Sequence, residues 1–298
     1  MAFFKRIGLF VLTNLLVMVT IGIVWSIASQ FLGMAGLNSH IPMLMAFCAV
    51  WGMGGAFVAL FISKWSAKMF HGVKIIEPTT QNPEHRQLVT KVHEFARRAQ
   101  LTKMPEVGIY ESEDINAFAT GPSKSNSLVA VSTGLLQRMN EREVDGVLAH
   151  EVAHIANGDM VTMTLIQGIV NAFAMFFSRI LARIVASSVD SRYANVVHFA
   201  VVIIGDIAFT LLGSIVVNYY SRKREYRADA GSAKISSKGN MIMALQKLQA
   251  LHMIPPKEDN LAAMKISGRE KRGSIADLFM THPALSDRIQ ALQSGRNL

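Results

Sequence analysis

The chain has 298 residues, of which 51% are hydrophobic and only 17% are charged. A soluble globular protein carries about 25% charged residues, so this composition argues against a disordered or purely water-soluble chain. The single cysteine, Cys48, excludes an intramolecular disulfide and a cysteine-rich zinc fold. The net charge of +9 is compatible with binding to nucleic acid or to an anionic membrane surface. The distribution of the charged residues along the sequence distinguishes these two possibilities.

The distribution favours a membrane, because residues 7–63 contain no Asp, Glu, Lys or Arg. One bilayer crossing needs about 20 apolar residues. We therefore predict two spans, at about 7–31 and 41–62, separated by a turn rich in Gly, Asn, Ser and Pro. A cleaved signal peptide is the alternative for the first segment, but its apolar core would exceed the roughly 7–15 residues that such peptides use.

Two further apolar runs, at about 160–187 and 193–220, predict a membrane hairpin. These runs are less uniform, so a hairpin that enters the bilayer only in part is the alternative. The second run contains Asp206, which is costly in mid-span unless it is paired. We expect Asp206 to pair with Arg179 or Arg183, or else to line a polar groove used by substrate.

Basic residues flank the predicted spans mainly on one side of the membrane. They are Lys5 and Arg6, then Lys64, Lys68 and Lys74, and finally Arg222, Lys223, Arg224 and Arg227. The positive-inside rule therefore predicts that both termini and the segments 63–159 and 221–298 are cytoplasmic. Since no aromatic and basic residues interleave in a recognition pattern, we predict no nucleic-acid partner.

Local patterns predict the elements of the two polar segments. A helix follows Asn82, and a capped helix runs from Asn140 to Gly158. Between these helices, residues 121–126 form a turn and the predicted strands are Val107–Tyr110, Ala117–Thr120 and Leu128–Ser132. Two later helices cover 241–251 and 283–293 and are separated by a polar loop at 255–273.

The capped helix carries the sequence His150-Glu151-Val152-Ala153-His154. Two histidines at i and i+4 lie on one helix face and can bind one zinc ion. Glu151 is then placed to take a proton from a water that zinc has acidified, and to pass it to a leaving amine. The alternative is a surface helix that carries these residues by chance.

A catalytic zinc needs a third protein ligand and one open position. Glu225 is the best candidate, and Asp229 lies at i+4 from it on the same helix face. One carboxylate can ligate zinc while the other accepts the free N–H of a ligating histidine. The predicted hairpin starts and ends on one membrane side, so it would bring His154 and Glu225 together beside the bilayer. An ordinary solvated basic helix is the alternative for this segment.

Four segments, HEVAHIANGD, EYRAD, INAFATG and THPALSDRI, together resemble the HtpX family of membrane zinc proteases, a relative of the type I CAAX prenyl proteases. By this resemblance His150, His154 and Glu225 are zinc ligands, Glu151 is the general base, and Asp229 orients His150. The resemblance further implies an integral inner-membrane endopeptidase with a cytoplasmic active site. It also implies stress-linked quality control of membrane proteins beside the membrane AAA protease FtsH, and self-cleavage.

Two further motifs are candidates for binding or catalysis. Asn116, Ala117 and Phe118 resemble the edge strand of gluzincin peptidases, which could pair with an extended substrate, although a plain core strand is the alternative. Either His282 or Arg288 could stabilise the oxyanion of the tetrahedral intermediate. His282 could instead shield the zinc in a resting state, or be an ordinary surface histidine.

We therefore predict a mainly α integral membrane protein with four transmembrane helices and a cytoplasmic α+β zincin-like catalytic domain that contains a small β-sheet. Residues 1–62 hold the first two spans and 160–220 the membrane hairpin. The catalytic domain is divided between 63–159, with the two-histidine helix, and 221–298, with the third ligand.

The predicted activity is that of a zinc metalloendopeptidase with one Zn²⁺ per chain, which cleaves misfolded or damaged membrane proteins at the cytoplasmic face of a bacterial inner membrane. Its expected partners are those substrates, the lipid bilayer and, functionally, FtsH. The alternatives are a CAAX-type processing protease for one terminal motif, and a non-enzymatic membrane scaffold or transporter. No inverted repeat is visible, which argues against a transporter.

Overall fold

A computed structural model describes residues 40–252 and 278–295. The first predicted span, at 7–31, and the predicted polar loop at 255–273 lie outside these residues. The described residues divide into two compact units, one formed by residues 40–59 and 164–217, the other by 60–163, 218–252 and 278–295.

The described residues are mainly helical, with one small sheet. In chain order the elements are α1 (His40–Phe70), β1 (Lys74–Ile75), α2 (Pro83–Arg98), β2 (Glu106–Tyr110), β3 (Ala117–Ser123), β4 (Asn126–Ser132), α3 (Thr133–Arg138), α4 (Glu141–Asn157), α5 (Asp159–Ser187), α6 (Ala194–Ile235), α7 (Lys238–His252) and α8 (Leu285–Ser294).

Three helices among the described residues are long and apolar enough to cross a membrane, namely α1 from Met43, α5 and α6. Two of these helices extend beyond the C-terminal ends that were predicted for their apolar spans. The helix α1 continues past residue 62 to Phe70, and α6 continues past residue 220 to Ile235. The basic segment that carries Glu225 is therefore a direct helical extension of the last apolar run.

The first unit packs its helices closely through small residues. A Cβ added at Gly52 would lie 2.3 Å from the backbone nitrogen of Ala172, so only glycine allows this approach. The predicted pairing of Asp206 is confirmed, because Arg179 Nη1 lies 3.5 Å from Asp206 Oδ1. Ser178 donates a further hydrogen bond to the same carboxylate.

The second unit contains a four-stranded mixed sheet of order β1-β2-β4-β3. The strands β2 and β4 are parallel, whereas β3 is antiparallel to β4 and forms an edge of the sheet. The predicted turn at 121–126 is too long, since β3 continues through Pro122 to Ser123. Gly121 permits this continuation with φ of 139°, at an irregularity in the register between Thr120 and Ser123.

The helix α4 lies at the centre of the second unit. Asn140 and Glu143 form a reciprocal capping box at its start, and Gly158 ends it in the left-handed conformation, with φ of 73°. Its buried face joins a core shared with α2 and the sheet, which includes Val92, Val129, Leu148, Val152 and Ile155. Because both ends and one face are fixed, α4 presents its remaining side chains in a defined orientation.

Candidate active site

Two imidazoles converge on one face of α4. His150 and His154 are both buried, and their Nε2 atoms lie only 3.1 Å apart. Two imidazole nitrogens that face each other at this distance need a shared proton or a cation between them, because two lone pairs repel. The pair therefore has the chemistry of a cation site.

Glu225 on α6 completes the cluster across 71 residues of sequence (225 − 154). Its Oε2 lies 3.5 Å from Nε2 of His150, and its Oε1 lies 3.5 Å from Nε2 of His154. Among the described residues, these three side chains are the one group of His, Cys, Asp or Glu whose ligand atoms converge, all within 4.8 Å of one another. The predicted contact between the two helices is therefore present.

The carboxylate of Glu225 supplies a direct test of whether a metal fits. The side chain is 2% exposed, and Oε1 is buried without a hydrogen-bond partner. Arg224 Nη2 lies 3.3 Å from Oε1 but makes no hydrogen bond to it. A buried carboxylate oxygen without a hydrogen bond is costly, so this atom can accept a ligand. Two imidazoles and one carboxylate are a donor set that suits a divalent metal.

A second carboxylate lies behind His150. Asp229 Oδ1 is 3.0 Å from Nδ1 of His150, on the side of the ring away from Glu225. Arg288 donates two hydrogen bonds to Asp229, of 2.8 and 2.6 Å, and its Nη1 lies 3.2 Å from Glu225 Oε2. Burial alone would raise the pKa of Asp229, but its contacts with Arg288 and His150 have the larger effect and lower the pKa below its ordinary value. The carboxylate therefore stays ionised.

Charge on His150 balances these carboxylates when no metal is bound. Burial alone would lower the pKa of His150, but its contacts with Asp229 and Glu225 raise it to about 9. The pKa of Glu225 is likewise strongly lowered by His150, His154 and His282, against the effect of burial. The site therefore favours a positive charge at its centre, which a metal ion can supply.

Asp159 is a site residue that the sequence analysis missed. Its Oδ2 lies 2.6 Å from Nδ1 of His154, and it is 1% exposed. Arg227 donates a 3.2 Å hydrogen bond to the other oxygen, Oδ1. The sequence did contain a signal for this residue: Asp159 is an acidic residue between the helix-ending Gly158 and an apolar run, five residues after His154.

A cavity of about 550 Å³ opens onto the cluster. Its lining includes Glu151, which follows His150 on α4, and residues 115–119 at the edge of the sheet. The predicted substrate-contacting residues Asn116, Ala117 and Phe118 thus lie in the same cavity as the predicted general base.

Backbone pairing of β3 shows which of its residues face the open edge. The carbonyl of Asn116 accepts a hydrogen bond from the N–H of Ser132 on β4. Hydrogen-bonded residues alternate along an antiparallel pair, so the backbone groups of Ala117 and Ala119 point to the unpaired edge. This edge has the hydrogen-bonding groups that an extended peptide needs.

His282 and Arg288 occupy different positions in the site. His282 is 59% exposed at its side chain, and its Nδ1 lies 3.2 Å from Oε2 of Glu225. Arg288 is buried, and its guanidinium engages Asp229 and Glu225. His282 is therefore the accessible candidate for contact with a substrate or a metal, while the guanidinium of Arg288 is already engaged by two carboxylates.

The segment before His282 is fixed to α6 by two side chains one helical turn apart. Asn218 Nδ2 donates to the carbonyl of Phe279 at 3.1 Å, and Arg222 Nη1 donates to the carbonyls of Leu278 and Met280 at 3.3 and 2.7 Å. These bonds hold His282 beside Glu225.

Comparison with known proteins gives a consistent assignment. A sequence model of peptidase family M48 matches residues 82–296. A protein named "Protease HtpX homolog" from Bacillus licheniformis is 52% identical, over 97% of this chain and 99% of the relative. Protease HtpX from Pasteurella multocida is 49% identical, over 97% of each chain.

The fold also resembles a solved structure. The crystal structure of S. mikatae Ste24p superposes with a TM-score of 0.56 at 20% sequence identity, covering 92% of this chain and 67% of that chain. At this identity the likeness concerns the fold alone. The resemblance inferred from the sequence motifs is confirmed by the family match and the close relatives: the chain is a membrane metallopeptidase that belongs to peptidase family M48, among the HtpX proteases.

Proposed function

We propose that this protein is a zinc-dependent endopeptidase that cleaves misfolded or damaged membrane proteins at the cytoplasmic face of a bacterial inner membrane. The observation that carries the proposal is the buried cluster of His150, His154 and Glu225 beside an open sheet edge. Family M48 membership supports peptide hydrolysis, and three apolar helices support membrane residence.

In this proposal His150, His154 and Glu225, whose ligand atoms converge, would hold one zinc ion per chain. When bound, zinc supplies a Lewis acid that polarises the scissile carbonyl and acidifies water in its open position. Glu151, the next residue after His150 on α4, takes the proton from the attacking water and delivers it to the leaving amine. Asp229 orients His150, and His282 is placed to stabilise negative charge on the carbonyl oxygen.

Substrate backbone pairs with the edge of β3 at Ala117 and Ala119, while the side chains of Asn116 and Phe118 contact the substrate. Pairing through main-chain hydrogen bonds gives affinity with little choice of side chain. That mode suits an enzyme that acts on unfolded segments of many proteins. A processing protease for one terminal motif would need a dedicated specificity pocket instead.

We propose the remaining features of the cellular role on the residue patterns and the family. Four spans, with the first at 7–31, and cytoplasmic termini follow from the charge distribution. The expected partners are membrane-protein substrates, the lipid bilayer and, functionally, the AAA protease FtsH. Stress-linked quality control and self-cleavage follow from the relation to HtpX proteases.

Replacing Glu151 by Gln tests the proposed chemistry. The Glu151→Gln enzyme should keep about one zinc per chain, yet lose peptidase activity by about 10²–10⁴-fold, because an amide cannot accept the proton. Glu94→Gln is the matched control: it changes a partly exposed side chain on α2 that pairs with Arg98 one helical turn away, and it should cleave like the parent. Cleavage of a membrane-protein substrate by Glu151→Gln at the parental rate would rule out the assignment.

A further inference from the structure

We propose that Asp159 is a positioning residue for the metal site, which fixes the ring of His154 so that its Nε2 faces His150 and Glu225. Arg227 holds Asp159 in the required orientation. The inference rests on the proposed metal site, but it concerns a carboxylate outside the three ligands.

The position of Asp159 depends on the break between α4 and α5. In an uninterrupted α-helix the fifth residue after His154 would lie about 140° around the axis, on a different face. Gly158 adopts φ of 73° and ψ of 30° and ends α4 there. The helical path is therefore broken at Gly158, and this break allows Asp159, the first residue of α5, to contact the ring of His154.

The contact fixes the protonation of the ring as well as its direction. An ionised carboxylate only accepts hydrogen bonds, so the 2.6 Å contact with Asp159 Oδ2 places the proton on Nδ1 of His154. The lone pair is then on Nε2, which is the atom that faces Glu225. This tautomer is the one that a metal at the centre of the cluster requires.

Asp159 is itself held firmly. It is almost fully buried, and such a carboxylate is retained only where its charge is compensated. Arg227 Nη2 donates to Oδ1, which leaves Oδ2 for His154. The start of α5 adds the positive end of a helix dipole. Arg227 follows Glu225 by two residues on α6, so its contact joins the start of α5 to the helix that carries the third ligand, and the contact of Asp159 with His154 extends this link to α4.

The arrangement repeats on the other imidazole. Nδ1 of His150 lies 3.0 Å from Asp229 without forming a hydrogen bond, whereas Nδ1 of His154 hydrogen-bonds Asp159. Arg288 donates to Asp229, as Arg227 donates to Asp159. Each histidine thus has one buried carboxylate behind it, and each carboxylate has one arginine. The shorter contact belongs to His154.

Zinc titration of the full-length protein tests this role. The detergent-solubilised enzyme is stripped of metal and titrated with zinc against a competing chelator. Asp159→Ala should weaken zinc affinity by about 10–100-fold. Asp159→Asn should weaken it by a smaller factor, because the amide oxygen still accepts a hydrogen bond but has lost its charge. Asp145→Asn on α4 is the matched control: it makes the same chemical change, loses an ion pair with Lys91 remote from the site, and should bind zinc like the parent.

A second readout separates positioning from direct participation. At saturating zinc the Asp159→Asn enzyme should recover most of the parental peptidase activity, whereas a group that takes part in proton transfer would not be rescued. The visible absorption spectrum of the cobalt-substituted enzyme should change in Asp159→Ala and remain parental in Asp145→Asn.

The outcomes are distinct. If the parent binds no zinc, the proposed function fails. If the parent binds zinc and the Asp159 variants bind it equally tightly, or Asp145→Asn loses as much affinity, the role of Asp159 is overturned while the proposed function stands. If Asp159→Ala does not fold, the near-isosteric Asp159→Asn decides, since parental affinity in that variant overturns the inference.

Discussion

Arg288 stabilises the site by joining two buried carboxylates. It is 6% exposed and contacts both Asp229 and Glu225. Burial of one cation with two anions is tolerable only while all partners are present, because an unpaired buried charge is costly. The main effect of this arginine on the metal-free protein is therefore on stability.

Arg288→Ala should lower the free energy of unfolding of the metal-free protein by about 3–5 kcal/mol, since buried Asp229 loses both hydrogen bonds from the guanidinium and keeps only its contact with His150. Thermal unfolding of the detergent-solubilised protein in chelator measures this as a lower midpoint. Arg97→Ala, an exposed change on α2, should alter stability by less than about 0.5 kcal/mol. Equal midpoints for Arg288→Ala and the parent would show that the ion pairs contribute nothing.

The site residues that could be predicted from the sequence are those that lie one helical turn apart from another site residue. His150 and His154 share a helix face by their i, i+4 spacing, and Glu225 with Asp229 does so too. The contact of Asp159 with His154 was not predicted, because it depends on a break in the helix that no periodic pattern describes. Arg288 was predicted near the reacting carbonyl, but only the folded chain shows that its guanidinium is engaged by carboxylates.

Close packing of α7 against α4 is the main structural constraint at the scale of elements. Gly146 lies where a Cβ would be 2.5 Å from the carbonyl oxygen of Asn240 and 3.1 Å from Cβ of Ala244. Ser232 on α6 donates a 2.9 Å hydrogen bond to the carbonyl of Gly146. The helix α4, which carries both imidazoles, thus contacts both α6 and α7 at Gly146.

Gly146→Ala should therefore destabilise the protein by about 1–3 kcal/mol, because backbone atoms of α7 must move. Gly239→Ala makes the same chemical change on α7, where an added Cβ meets nothing nearer than Ser237 Oγ at 3.9 Å. That control should be neutral or more stable by about 0.4–1 kcal/mol, since alanine favours the helix. Midpoints of thermal unfolding distinguish the two, and a neutral Gly146→Ala would contradict the packing argument.

The types of the elements could be predicted better than their ends. The capped helix α4 and the three longer strands were predicted within a few residues, because caps and alternation are local signals. Helices α1 and α6 run past their predicted ends, since hydropathy marks where apolar residues stop rather than where helical hydrogen bonding stops. The strand β3 passes through Pro122, which is tolerated at a sheet edge.

At the scale of the whole molecule, the proposed orientation predicts which segments are reachable from outside the membrane. Cys48 is the single cysteine, so a Cys48→Ala background permits reporter cysteines. With Arg192→Cys, an impermeant maleimide should label intact spheroplasts, whereas Lys103→Cys should react only after permeabilisation. Both positions are exposed, so accessibility within the protein does not limit labelling. Labelling of Lys103→Cys in intact spheroplasts would reverse the proposed orientation.

We propose that residues far apart in the chain hold one catalytic metal ion, with α4 supplying two imidazoles and α6 one carboxylate. The zinc content of the purified full-length protein, measured by mass spectrometry after zinc-replete preparation, tests it most directly. We expect about one zinc per chain in the parent and in the Glu94→Gln control, and almost none in Glu225→Gln, because an amide oxygen is a poor substitute for the third ligand. A Glu225→Gln protein that keeps one tightly bound zinc per chain would contradict the account.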